Sequence, residues 1–372
     1  MRFSPSAEEG VRFGEVIFNC VGTPSNEDGS ANLEYVFSVA TEIGKYIDNY
    51  KVVVNKSTVP PGTARKTAEI ISENNKNGMP FEVVSNPEFL REGNAIRAFN
   101  YPDKIVVGTN SEKALAIMRK VYSGRLRTYL PIVETDWETA ELIKYANNAF
   151  LATKISFINE IANICDHTGA DVKIVAMALG LDYRISPRFL NPGVGYGGSC
   201  FPKDVKALIK TAHEKSYHAK LLEEVDALNE RQKRLIVAKI KERFNQDLKG
   251  KKFGVLGLSF KPKTNDMREA PSTNIINELL AHGAVLQVYD PCAMEDAKRI
   301  FNDKIKYCNS AEEVAQDSHG LILVTEWDEF RGLNFNELGK TMKEKVIFDG
   351  RNIYEPELVK DEGFEYLGMG RK

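Results

Sequence analysis

Apolar residues along this chain alternate between short strand-like runs and stretches spaced as one face of a helix. Residues 16–21 (VIFNCV) form an apolar run ending in Gly22, Thr23 and Pro24, the signature of a buried strand entering a loop. Leu33, Val36, Phe37, Ala40, Ile43 and Ile47 then fall at helical spacing. A strand at 52–54, the loop STVPPGT (57–63), a further helix and strands near 81–85 and 104–108 follow. Strands alternating with helices predict a parallel sheet covered on both faces. From 136 to about 169 the helical period runs unusually long. A glycine-rich, non-periodic stretch (191–200) and two more helical stretches then carry the chain to about 249. Segment 248–260 restarts the strand–helix rhythm, with strands expected near 285–289, 321–324 and 346–348. The predicted fold class is α/β, in three domains. The first spans 1–130, an all-α middle region spans 131–249 with a long helix suited to dimerisation, and a second doubly wound domain spans 250–372.

Composition narrows the function. Apolar residues make up 42% and charged residues 27% of 372 residues, ordinary for a chain with real cores. Lys+Arg 50 against Asp+Glu 52 gives a net charge of −2, which provides no electrostatic case for nucleic acid or an anionic membrane. No apolar run approaches the ~20 residues of a spanning helix, and the start has no secretory-signal pattern. Cys20, Cys165, Cys200, Cys292 and Cys308 are scattered and lack CxxC spacing. That pattern predicts a reducing, cytoplasmic setting and no metal site.

The densest chemistry lies in GYGGSCFPKD (195–204). Gly193, Gly195, Gly197 and Gly198 permit positive φ and close backbone approach to a ligand. Cys200 follows them, with Lys203 and Asp204 at the expected start of a helix. A cysteine so placed is accessible as a thiolate, with Asp204 able to hold a water or take its proton. A random cysteine is more often a small buried hydrophobe, and the glycines with the flanking Lys and Asp reverse those odds. Gly193, Gly195 and Gly198 also satisfy GxGxxG, but no strand precedes them, so they are not read as a pyrophosphate loop.

Six motifs then occur in order: VGTP (21–24), STVPPGT (57–63), NPEFLREG (86–93), ELIKYANNAFLATKISFINE (141–160), RISPRFLNPGVGYGGSCFPKD (184–204) and FKPKTNDMRE (260–269). Together they resemble the UDP-glucose/GDP-mannose dehydrogenase family over essentially the whole chain. The resemblance implies Rossmann-like outer domains and NAD-dependent four-electron oxidation of UDP-glucose to UDP-glucuronate. Alternatives are oxidation of GDP-mannose or a UDP-N-acetylhexosamine, and a non-catalytic nucleotide-sugar-binding remnant.

By the same resemblance Cys200 is the nucleophile, carrying a thiohemiacetal and then a thioester. Lys144 and Asn148, four apart and so on one helix face, stabilise the oxyanion at C6. Without the family they read as a solvated Lys and a surface Asn. Asp204 handles protons and water with Lys144. Glu88 does so in the first oxidation with Thr58, and Glu88 and Glu92 share one face if their segment is helical. Thr23, Ser57, Thr58, Glu92 and Arg268 are implied as NAD contacts. Glu88, Lys144, Phe189, Leu190, Asn191, Gly195, Tyr196, Lys261, Arg351 and a partner-reaching Arg184 are implied for the nucleotide sugar. Ser186 stands where glycine is usual and Asn191 where lysine is. A homodimer is the expected assembly.

Family members begin with a strand, GxGxxG, a helix and a second strand ending in an acidic residue, a pattern not found here. Residues 1–3 then correspond to the third strand, 7–13 to the next helix and 16–21 to the fourth strand. The expectation is therefore a cofactor domain short of two strand–helix units, roughly 60 residues. It implies a bare edge at 16–21, weak NAD binding and impaired oxidation.

Overall fold

The computed structural model describes residues 1–123 and 131–371. In chain order the elements begin with α1 (Ala7–Phe13), β1 (Val16–Asn19), α2 (Glu34–Tyr46), β2 (Lys51–Asn55), α3 (Thr63–Asn74), β3 (Phe81–Ser85), α4 (Ala95–Asn100), β4 (Ile105–Gly108), α5 (Glu112–Ser123) and β5 (Ile132–Thr135). Four helices follow: α6 (Trp137–Thr168), α7 (Val172–Leu181), α8 (Phe201–Glu214) and α9 (Lys220–Arg243). The remainder is β6 (Lys252–Leu256), α10 (Pro271–Ala281), β7 (Val285–Tyr289), α11 (Met294–Phe301), β8 (Lys306–Tyr307), α12 (Ala311–Ala315), β9 (Gly320–Leu323), α13 (Phe335–Thr341), β10 (Val346–Asp349), α14 (Pro356–Asp361) and β11 (Glu365–Gly368).

These residues form two compact units, Met1–Ala149 with Lys203–Ala219, and Phe150–Pro202 with Lys220–Lys372. Three domains were the sequence expectation. The two units divide within α6, which contributes residues to both, and most of α8 belongs to the first. The expected break at 130 lies outside the described residues.

In the first unit the sheet order is β1-β2-β3-β4-β5. Every residue of β2 (KVVVN) is buried. Val52 and Val54 join Val84, Val107 and Met118 in one core, while Val53 joins Val11, Ile43, Ile71 and Val83 in another. That is the two-faced burial of a parallel strand, and it explains why β2 reads as an unbroken β-branched run. One pairing departs from expectation: β4 runs antiparallel to β3. The intervening α4 buries none of its residues, so no covering helix carries the chain back to start a parallel strand. Residues 1–3, expected as a strand, form none; Met1 and Phe3 are exposed and have no ladder partner.

The second unit contains a sheet of order β11-β10-β9-β6-β7-β8, whose adjacent strands pair parallel. The chain winds outward both ways from β6, so a topological switch point lies between β6 and β9. Loops at the carboxyl ends of those strands are where such sheets bind ligands.

Candidate active site

In the first unit, Thr23, Ser57, Thr58 and Glu88 follow the carboxyl ends of β1, β2 and β3, and so stand along one edge of the sheet. Thr23 Oγ1 donates to the Thr58 carbonyl at 2.9 Å, and Ser57 Oγ donates to the Val21 carbonyl at 2.6 Å. The loops after β1 and β2 are thereby pinned together. Asn19 and Asn55 end those strands, are buried, and each leaves its Oδ1 without a partner. This edge, with orphaned acceptors and fixed hydroxyls, fits one end of a dinucleotide.

Glu88 and Glu92 do not share a helix face, because 86–94 is loop and turn. Three anchors hold the segment irregular. Lys56 Nζ donates to Asn86 Oδ1 at 3.2 Å and to the Pro87 carbonyl at 3.4 Å. Asn86 Nδ2 donates to the Val106 carbonyl, and Tyr122 donates to Asn86 Oδ1. Burial brings the pKa of Lys56 down to about 8, against the opposing pull of Glu88.

Lys144 and Asn148 lie one turn apart on α6, and each is only 4% exposed. The solvated-surface reading of this pair therefore does not hold. Lys144 Nζ is 3.3 Å from Glu88 Oε1 and stands over the Phe89 ring at 5.3 Å. Asn148 Nδ2 donates to Asp204 Oδ2 at 2.6 Å, and Lys203 Nζ pairs with Asp204 Oδ1 at 2.6 Å. The structure thus brings Glu88 to Lys144 and Asn148 to Asp204. Glu92 is half-buried in the turn at 92–93.

In the second unit, Cys200 is exposed and directly precedes α8, with Asp204 in the first turn of that helix. The glycine loop before it is threaded through a close-fitting slot. A Cβ on Gly197 would lie 2.3 Å from the Glu269 carbonyl oxygen, and one on Gly198 2.7 Å from the Phe260 ring. Gly195 and Gly198 also take φ of +94° and +84°. The slot is lined with carboxamides. Asn159 Oδ1 accepts from Gly193 N, and Gln232 Nε2 donates to Gly193 O at 2.7 Å. Asn229 accepts from Tyr196 N and donates to Tyr196 O, as a neighbouring strand would. Sequence reading did not identify these three residues. The available signal was Asn229 and Gln232 interrupting the buried face Val225, Ile236, Val237 and Ile240 of α9.

Arg351 follows β10, and Lys261 follows β6 at the switch point. The Arg351 guanidinium donates to the carbonyls of Val324 at 2.7 Å and Gly195 at 3.3 Å, joining the switch-point loops to the glycine loop. Lys261 Nζ stands 5.2 Å over Phe260. Phe189 and Tyr196 pack their rings against Phe201 at 6.2 and 5.9 Å. Leu190 is buried with Ile158, Ala162 and Val172, so its side chain belongs to a core rather than to a ligand surface. Asn191 is exposed, and Arg184 is exposed and paired with Asp182 at 2.6 Å. Arg268 pairs with Asp266, and its carbonyl accepts from Gly198 N at 2.8 Å. Ser186 takes φ +67°, a backbone conformation that glycine adopts without strain.

Known proteins match all of this architecture. Three domains of the UDP-glucose/GDP-mannose dehydrogenase family match the chain: the NAD binding domain at 1–125, the central domain at 138–231 and the UDP binding domain at 254–356. A UDP-glucose 6-dehydrogenase of Rhizobium meliloti is 44% identical over 100% of this chain and 85% of its own length. A UDP-glucose dehydrogenase structure from Pyrobaculum islandicum superposes with TM-score 0.92 at 38% identity, covering 100% of this chain and 83% of that one. A UDP-D-ManNAc dehydrogenase structure from Pyrococcus horikoshii gives TM-score 0.85 at 27% identity, with coverage of 98% and 83%. With the NAD binding domain matched, these comparisons lend no support to the expectation of a shortened, impaired enzyme. The chain belongs to the UDP-glucose/GDP-mannose dehydrogenase family.

Proposed function

We propose that this chain oxidises UDP-glucose to UDP-glucuronate with NAD, through a thiohemiacetal and a thioester on Cys200. The observation that carries the reading is the buried ammonium–carboxamide pair of Lys144 and Asn148, set on one face of α6 and paired with Glu88 and Asp204. A fixed cation and an amide donor in a desolvated site stabilise charge developing on a C6 oxygen. NAD, when bound, accepts a hydride in each of two oxidations, and Thr23, Ser57, Thr58, Glu92 and Arg268 are the residues assigned to hold it.

Glu88, with Thr58, takes the C6 hydroxyl proton in the first oxidation. The Cys200 thiolate adds to the resulting aldehyde carbon, and Lys144 and Asn148 bind the oxygen of the thiohemiacetal. After the second oxidation Asp204 orients a water that attacks the thioester carbonyl. The C–S bond breaks, and carboxylate and thiol are released. Phe189, Asn191, Gly195 and Tyr196 line the sugar, Lys261 and Arg351 take the diphosphate, and Arg184 serves a partner's site.

The assembly is a homodimer. Phe150, Phe157 and Ile164 recur every seven residues on α6 and are exposed, an apolar stripe that a second copy would cover. The compartment is the cytoplasm, in keeping with five free cysteines. No described helix is long and apolar enough to cross a membrane.

Purified full-length chain given UDP-glucose and NAD should form two NADH per sugar consumed, while Cys200→Ser should stop after one and release aldehyde. Faster turnover of GDP-mannose or a UDP-N-acetylhexosamine would reassign the substrate. NADH formation from none of them would make the chain a nucleotide-sugar binder.

A further inference from the structure

Helix α3 begins without a local cap. Its N-cap is Gly62, held at φ +99° and lacking a side chain to accept from the first amides. The acceptor comes from α6 instead. Glu141 is 2% exposed; its Oε2 accepts from Gly62 N and its Oε1 from Ala64 N, both at 2.7 Å. A carboxylate on the free amides of a helix N-terminus satisfies those donors and complements the helix dipole. Glu138 of α6, Arg65 of α3 (paired with Glu138 at 2.6 Å) and Tyr145 of α6 are the other titratable groups acting on it.

Position along the helix gives the contact its consequence. Glu141 precedes Lys144 by three residues and Asn148 by seven, so the three side chains share one face of α6. The connection from β2 that ends at Gly62 spans 56–62 and carries Ser57 and Thr58 near its start. One carboxylate therefore ties the loop bearing Thr58 to the helix face bearing Lys144.

We propose that Glu141 is a positioning residue for the oxidation, fixing loop 57–62 in register with Lys144 and Asn148. The inference rests on the function proposed above. It assigns Glu141 no contact with substrate or cofactor.

The test compares full-length Glu141→Ala and Glu141→Gln with the unaltered chain, well below their unfolding temperatures. A displacement of about 1 Å in a catalytic array costs about 10²-fold in rate. Glu141→Ala should accordingly lose about 10- to 100-fold in kcat, with KM for UDP-glucose held within about threefold. Glu141→Gln keeps the volume and one acceptor and should recover part of the loss. A cap that serves stability alone would lower the unfolding temperature and leave kcat of the folded protein intact. Values of kcat within about twofold of the unaltered chain in both variants overturn the proposal, as does a change confined to KM. If Glu141→Ala fails to fold, Glu141→Gln decides by the same limits. An active unaltered chain with unaffected variants defeats this inference alone, whereas an inactive unaltered chain defeats the function on which it rests.

Discussion

Asn148 donates its amide to a carboxylate oxygen of Asp204 at 2.6 Å, and both side chains are buried. The second oxygen of Asp204 is taken by Lys203, so a charge in a nearly solvent-free position has a donor on each side. This saturation separates the structural part of Asp204 from its chemical part. In Asp204→Asn one of the two facing donors meets an NH₂ group, and Asp204→Ala leaves both donors without an acceptor. Urea unfolding should show a loss of about 1–3 kcal/mol for Asp204→Ala and less for Asp204→Asn. Turnover should fall about 10²–10⁴-fold in both variants, because neither retains a base for water. Full turnover in Asp204→Asn would remove Asp204 from the chemistry.

The carboxamide lining of the glycine loop supplies a second prediction. Asn229→Ala leaves the N–H and C=O of Tyr196 unpaired in a buried slot. Each lost partner costs about 1–3 kcal/mol, so urea unfolding should register a loss of a few kcal/mol. In protein that remains folded, NADH formation should drop because Cys200 stands four residues beyond Tyr196. Unchanged stability together with unchanged turnover would show that the loop holds its shape without α9.

Much of this architecture was legible from residue pattern. The run KVVVN could be read as a two-sided strand because all five residues are buried, and the period from Trp137 to Thr168 gave the long helix almost to the residue. Pattern failed where one long-range partner outweighs local preference. NPEFLREG has helical spacing at Glu88 and Glu92, but Lys56, Val106 and Tyr122 hold Asn86 and Pro87 in a loop from a connection, a strand and a helix distant in sequence. Lys144 and Asn148 likewise look solvated on a bare helix, since burial by a neighbouring element leaves no periodic trace in their own segment. Glu141 and Asn229 went unread for the same reason. A polar residue on an apolar helix face signals a buried partner, and the chain does not state where that partner lies.

Ser186 offers a test in the stabilising direction. Its φ of +67° costs an L-residue about 1–2 kcal/mol relative to glycine, and Pro187 after it restricts how the backbone can relax. Ser186→Gly should raise stability by about 0.5–1 kcal/mol after the extra entropy of the unfolded glycine is counted. A lower urea midpoint in the variant would mean that its hydroxyl makes a bond worth more than the strain.

Glu141 gives the protein a pH signature that can be worked out in sign. Burial raises its carboxyl from an ordinary 4.5 to about 7, against the opposing effect of the Ala64 and Gly62 amides. A raised acid binds its proton more tightly folded than unfolded. Its contribution is therefore fully present below pH 4.5, and is lost as pH climbs through about 7. Across that window the folded state should lose about 3–3.5 kcal/mol from this group alone, at 1.36 kcal/mol per pH unit of difference. Glu141→Gln cannot titrate. The difference in unfolding free energy between it and the unaltered chain should therefore slope between pH 4.5 and 7 and level off above. Urea titrations at half-unit steps measure that difference directly, and a flat line would place the Glu141 carboxyl in contact with water rather than sealed between α3 and α6.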